Sequence, residues 1–179
     1  MISIRPLLES ELRKMIELKI SCWTEELAGK AKNTMSLASE LEFWAKWMHT
    51  GEKNDDIRLL IGAFENNQML GVAIGSFAET SDIPEKGIEL NGLWVQQASR
   101  GRGISLLLMK HLLEYYSDME RIVIYNHHYA PSNDFYLKFG AKVSKQVYQM
   151  SKKLLIDVFT ADISTMKSNI EVSLSRYDN

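Results

Sequence analysis

Leu12, Ile16, Ile20, Trp23 and Leu27 recur at three- and four-residue intervals, so residues 10–27 read as an amphipathic helix. Residues 2–5 before it suggest a short strand, ended by Pro6. Residues 28–36 are small and polar and read as a loop. Leu37, Leu41, Trp44 and Met48 form a second helical stripe, expected to stop near Thr50-Gly51 at a polar turn. The pattern then changes. Residues 57–64 and 69–78 are β-like, with the hairpin turn Glu65-Asn66-Asn67-Gln68 between them. Residues 79–87, polar and containing Pro84, read as a loop, and residues 87–95 as a further strand.

Ile104, Leu107, Leu108, Leu112 and Tyr115 mark a helix with one broad apolar face. Residues 121–125 are short and β-branched, the mark of a buried strand. Residues 88–125 therefore read as strand, turn, helix, strand, which is a parallel βαβ crossover. A short helix over 131–139 starts beside Pro131 and ends at Gly140. Residues 141–150 are strand-like. In the tail, Leu154, Ile156 and Val158 alternate, while Leu155, Phe159, Ile163, Met166, Ile170 and Leu174 follow a helical period. A strand into the 150s and a helix from about 162 to 176 reconcile the two.

The chain has 179 residues, 45% of them hydrophobic and 25% charged, which suits one soluble globular domain with at most a short appendage. The net charge of −2 argues against a general nucleic-acid binder. A single cysteine, Cys22, excludes an intrachain disulfide framework and a multi-cysteine zinc site. The first residues lack a basic segment followed by an apolar run, so no signal peptide is expected. No run of 18 apolar residues suggests a membrane span. A cytoplasmic protein is the expectation.

The most specific chemistry lies in Arg100-Gly101-Arg102-Gly103-Ile104-Ser105. Two glycines let a ligand approach the backbone, and the helix that follows points its unpaired N–H groups at it. That arrangement grips phosphate. No Walker A string exists. A dinucleotide fingerprint would need a third glycine where Leu106 stands, and would follow the first strand of its domain.

The string does resemble the Gln/Arg-x-x-Gly-x-Gly/Ala motif of the GCN5-related N-acetyltransferase (GNAT) family. Residues 88–95 resemble that family's fourth strand, and residues 132–141, Ser-Asn-Asp-Phe-Tyr-Leu-Lys-Phe-Gly-Ala, resemble its Phe-Tyr-x-Lys-x-Gly-Phe ending. Ser105 replaces the last Gly/Ala but is small enough for close approach. Gln97 stands where proline is common, and Tyr129 where an asparagine is common. The resemblance covers roughly residues 2–153. It implies an α/β (α+β) fold with a mixed, mostly antiparallel sheet of six or seven strands. That sheet is splayed at its fourth and fifth strands and has helices on both faces. It implies a domain over 1–153 and a C-terminal extension over 154–179, packed on the core or on a second subunit.

The function implied is transfer of acetyl from acetyl-CoA, the co-substrate, to a primary amine on a small molecule or peptide. The alternative is a non-catalytic acyl-CoA-binding regulatory domain. A backbone N–H of Leu93, Trp94 or Val95 would polarise the thioester carbonyl. Arg100, Gly101, Arg102, Gly103, Ile104 and Ser105 would cradle the pyrophosphate, with Ser132 also on the cofactor side. Tyr136 would be the general acid toward the thiolate and Glu89 the base for the amine. No metal, nucleic acid or membrane is expected, and a homodimer through the tail after residue 160 is allowed. His127 and His128 are adjacent, so on a strand they face opposite sides and do not share one metal. One of them could line the acceptor site. Trp23 and Trp44 read as core residues. Glu25 and Glu26 would either attract a cationic amine or lie at an exposed helix end.

Overall fold

The computed structural model describes residues 1–54, 56–79, 83–149 and 154–177. Expectations for residues 80–82, for the strand end at 150 and for the boundary at 153 fall outside that set.

Local chemistry starts the sheet. Asn66 and Asn67 both take positive φ, 50° and 63°, the left-handed pair that a tight two-residue hairpin needs. They join β2 (Leu59–Glu65) to β3 (Gln68–Phe77). β1 (Ser3–Pro6) lies antiparallel to β2, and β4 (Gly87–Val95) antiparallel to β3. β5 (Arg121–His127) runs parallel to β4. β6 (Lys142–Gln149) forms the far edge, and β7 (Leu154–Asp162) lies between β5 and β6. The seven strands stand in the order β1-β2-β3-β4-β5-β7-β6.

Both faces of the central strands are covered, which explains the near-continuous apolar run in β3, where Met69 to Ile74 are all buried. α1 (Leu12–Glu26) and α2 (Leu37–Lys53) pack on one face, around Met15, Ile16, Trp44, Val72 and Ile74. α3 (Ile104–Tyr115) and α5 (Ile163–Leu174) pack on the other, around Leu108, Met109, Leu112, Ile122, Met166 and Ile170. α4 (Asn133–Lys138) is a short helix after β5.

One detail differs from the sequence pattern. α2 continues through Gly51 to Lys53. That glycine makes room for Arg58: a Cβ there would stand 2.5 Å from the Arg58 Cδ. The segment after residue 153 supplies an interior strand, β7, and a helix that packs against α3. Asp162 caps that helix by accepting a hydrogen bond from the Thr165 N–H at 2.8 Å.

The feature that positions the site is where the parallel ladder stops. β4 pairs with β5 only over Gly87–Leu90 and Arg121–Ile124. Beyond Leu90, β4 runs on to Val95 against β3, and β5 runs on to His127 against β7. The β3–β4 register passes from Gly75↔Leu90 to Ile74↔Gly92, leaving Asn91 as the extra residue of a bulge. A bulge bends its strand, and here it coincides with the parting of β4 from β5.

Candidate active site

A crevice of about 510 Å³ opens where the two strands part. Leu93, Trp94 and Val95 of β4 form one wall, and Pro131, Ser132, Phe135 and Tyr136 form the other. Cys22, Glu25 and Glu26 reach over it from the end of α1. The carbonyl of Val95 accepts from Arg100 Nε at 3.2 Å and from Cys22 Sγ at 3.7 Å, so it faces the crevice. The carbonyl of Trp94 faces β3, since a Cβ on Gly71 would lie 2.9 Å from it. Backbone directions alternate along a strand, so Leu93 and Val95 present their polar groups to the open edge and Trp94 does not. The Trp94 side chain instead packs on Trp44, with ring centroids 6.4 Å apart.

The glycine turn stands at one end of the crevice. Gly101 and Gly103 have φ of 78° and 73°, and Gly103 is the N-cap of α3 with no side chain capping the first turn. Ile104 is buried in the core and anchors the helix, while Ser105 lines the crevice. Arg100 donates to both oxygens of Glu25, at 2.6 and 2.9 Å, and this carboxylate strengthens the hold of Arg100 on its proton. Arg102 donates to both oxygens of Glu65, at 2.8 and 2.9 Å. A Cβ on Gly103 would lie 3.8 Å from the Tyr177 ring, so the chain after α5 comes back to this turn.

Tyr136 sits on the opposite wall, held by the way α4 is tied to β5. The side chain of Asn126 donates to Ser132 Oγ at 2.9 Å and to Asn133 Oδ1 at 2.8 Å. Asn133 donates in turn to the carbonyls of His127 and His128, both at 3.1 Å. Gly140, with φ of 99°, ends the helical segment. Tyr136 is buried between Phe135 and Phe159. Burial first, and then the charge of Glu26, push its phenol well above the ordinary tyrosine range. It therefore keeps its proton at any working pH. Burial likewise pushes the Cys22 thiol up, against the pull of Arg100, so Cys22 is not a ready thiolate.

A second, smaller cavity of about 50 Å³ adjoins the crevice; Leu93, Trp94, Ser132, Tyr136 and Glu26 line both. Trp23, Asn91, Tyr125 and Asn126 are among the residues that line only the smaller one. Glu26 Oε2 lies 3.1 Å from Nε2 of His127, a wholly buried side chain. Glu89 lies on the paired stretch of β4, opposite Ser76 and Val123, and lines neither cavity. Arg100, Ser105, Leu93, Val95, Ser132 and Tyr136 thus line one crevice, with Gly101 and Gly103 in the turn at its end. The sequence pattern offered Glu26 as an attractor of a cationic amine or an exposed helix end, and one of His127 and His128 as a residue lining the acceptor site; it did not foresee that Glu26 and His127 meet.

His128 turns to a different carboxylate, its Nδ1 lying 2.9 Å from Asp157 Oδ2. Among the described residues, no group of three or more His, Cys, Asp or Glu is placed to hold a metal ion. Among them, no helix is long and apolar enough to cross a membrane.

Comparison with known proteins agrees with this geometry. No curated protein sequence matches the chain. Among solved structures, an N-acetyltransferase from Staphylococcus aureus Mu50 superposes with a TM-score of 0.68 at 17% identity, over 91% of this chain and 99% of that one. The PaiA N-acetyltransferase of Thermoplasma acidophilum, in complex with coenzyme A, gives 0.70 at 19% identity, over 90% and 99%. A spermidine N-acetyltransferase from Vibrio cholerae, in complex with CoA and spermine, gives 0.64 at 14%, over 92% and 97%. At such identities the superpositions establish the shared fold. Residues 12–141 match the family model described as Acetyltransferase (GNAT) family. With that match over most of its length and the sheet parted at β4 and β5, the chain belongs to the GNAT family of acetyltransferases.

Proposed function

We propose that this protein transfers the acetyl group of acetyl-CoA to a primary amine, by direct attack of the amine on the thioester. The observation that carries the reading is the crevice between the parted strands, with the Arg100–Ser105 turn at its mouth and Tyr136 on its wall. Solved relatives that hold CoA or acetyl-CoA support it.

Each part has a chemical task. Gly101 and Gly103 let the pyrophosphate approach the backbone, and the uncapped start of α3 at Ile104 and Ser105 offers N–H donors. Arg100 and Arg102 supply the countercharge. The open edge at Leu93 and Val95 pairs with the amides of the pantetheine arm, and one of its N–H groups polarises the thioester carbonyl. Ser132 closes the arm from the other side. An ammonium is no nucleophile, so one proton leaves first to a base. The free amine then attacks the carbonyl carbon, forming the C–N bond and a tetrahedral oxyanion. As the C–S bond breaks, Tyr136 gives its proton to the sulfur and takes the second proton from nitrogen. The amide and the free thiol of CoA remain. Relayed in this way, no free phenolate forms, as the raised phenol demands.

Calorimetry with acetyl-CoA, followed by free-thiol release across a panel of amines, tests the reading. Binding together with amine-dependent thiol release is the expected result. No binding at millimolar acetyl-CoA overturns it. Binding without thiol release on the whole panel would favour a non-catalytic acyl-CoA-binding domain.

A further inference from the structure

Building on the N-acetyltransferase reading, we propose that the small cavity between Trp23, Asn91 and Glu26 receives the acceptor as an unbranched –CH2–NH3⁺ group. Glu26 there takes the amine proton, and His127 is the residue that positions it.

Four observations meet at this point. First, Glu26 lines both the donor crevice and the small cavity, as does Tyr136. A carboxylate and a phenol therefore flank the junction where the amine must meet the thioester, and the charge of Glu26 is felt by Tyr136. Second, Glu26 is held. His127 is wholly buried, and its Nε2 lies 3.1 Å from Oε2. Its ring stands 5.9 Å from that of Trp23, and its backbone carbonyl accepts from Asn133. Its Nδ1 is buried with no partner among the described residues, which fits a ring that donates from Nε2 and leaves Nδ1 bare. Glu26 Oε1 carries no hydrogen bond from the described residues and remains for the substrate.

Third, Asn91 Oδ1 is buried without a partner among the described residues, on the bulge that bends β4. A buried acceptor left unpaired is costly. An ammonium brings three donors, and Glu26 and Asn91 are the acceptors it would meet. The Trp23 and Tyr125 rings line the same cavity, and aromatic faces attract cations. Fourth, the space is narrow. About 50 Å³ suits an ammonium and its first methylene, and a second substituent on that carbon would have to share the same small space. The adjacent carboxylates of α1 thus divide the work: Glu25 turns to Arg100 and Glu26 turns inward.

The proton balance is simple. Glu26 accepts one proton from R–NH3⁺, giving the neutral amine that attacks, and returns the proton to water after product leaves. The ionisable groups around it are His127 and Tyr125 of β5, Tyr136 of α4, Lys30, Arg100, and Glu25 and Cys22 of α1 itself.

The test measures thiol release with saturating acetyl-CoA and three probes: 1-aminopentane, 1,5-diaminopentane and the branched 2-aminopentane. Wild type should favour the two unbranched amines by about tenfold or more in kcat/KM. Glu26→Gln should lower kcat by about a hundredfold or more, with acetyl-CoA affinity and melting temperature preserved. Its residual rate should climb with pH as free amine accumulates, and Glu26→Asp should restore part of the loss. His127→Gln should lower kcat about tenfold and shift the pH profile, because the carboxylate is then less well held. Glu26→Gln with wild-type kcat and pH profile overturns the proposal and leaves the acetyltransferase reading standing. So does Glu89→Gln carrying the loss instead, or equal rates for branched and unbranched probes. A wild type that binds acetyl-CoA but acetylates none of the probes overturns the assigned acceptor, whereas one that fails to bind acetyl-CoA overturns the parent reading as well.

Discussion

Replacing Glu25 with glutamine should tighten acetyl-CoA binding, because the arginine that would grip the pyrophosphate is held by that carboxylate. Arg100 gives Nη1 to Oε1 at 2.6 Å and Nη2 to Oε2 at 2.9 Å, bridging α1 and the turn before α3. The two side chains are 41% and 39% exposed. Exposed pairs are worth about 0.2–1 kcal/mol. Freeing Arg100 for an anion therefore costs at most about 1 kcal/mol, roughly fivefold in Kd. The Glu25→Gln change removes this competition together with a like charge near the phosphates. Calorimetry should show a Kd about two- to fivefold lower at low salt, with the difference fading near 1 M salt, where screening acts within about 3 Å. Arg100→Ala should move affinity the other way by about ten- to a hundredfold, the loss of a charge-assisted hydrogen bond worth about 1.5–3 kcal/mol. If Glu25→Gln binds acetyl-CoA more weakly than wild type, the competition argument fails, and Glu25 is presenting Arg100 to the phosphate rather than withholding it.

Three further outcomes follow from the same geometry. Tyr136→Phe keeps the packing against Phe135 and Phe159 but removes the relay; kcat should fall about tenfold or more with acetyl-CoA affinity unchanged. Unchanged turnover would take Tyr136 out of the proton path. Gly103→Ala should cost about 1–2 kcal/mol in thermal unfolding. The cause is its φ of 73°, since the added Cβ meets nothing closer than the Tyr177 ring at 3.8 Å. Gly103→Asn should recover part of that loss, and a melting temperature equal to wild type would show that the turn relaxes instead. In acid, the side-chain hydrogen bonds from Arg5, helped by the Leu8 N–H, hold the Glu11 carboxyl at about 2, below its ordinary 4.5. A lowered carboxyl lends stability that is complete above its ordinary range and is lost as pH falls from about 5 toward 2. Glu11→Gln should flatten the fall in melting temperature over that interval, and a fall as steep as wild type's would show that the pair adds nothing.

What could be read in the chain, and what could not, divides along a physical line. A glycine that must take positive φ is a local demand, so the Arg100–Ser105 turn and Gly140 were visible from residue types alone. The stripes of α1 and α3 are equally local. Strand alternation assigns faces but not neighbours, so nothing in Leu154, Ile156 and Val158 says that β7 enters between β5 and β6. Glu25 and Glu26 are successive residues about 100° apart on one helix. Only the tertiary placement of Arg100 and His127 sends one outward and the other inward. The bulge did leave a trace: Asn91-Gly92 is a turn-like dipeptide inside a strand that is otherwise apolar but for Glu89.

The parted strands also bear on how the protein exchanges hydrogen with solvent. Central strands of a sheet are ordinarily the slowest to exchange their amides. β4 is fourth of seven, yet its end alternates between amides tied to β3 and amides facing the open crevice. Deuterium uptake should therefore read fast, slow, fast at Leu93, Trp94 and Val95. Addition of the donor should make it uniformly slow. On the proposed function, a short line of unzipped backbone in the middle of the molecule would be kept open for a guest that is not protein, and the sheet would be fully stitched only while that guest is bound.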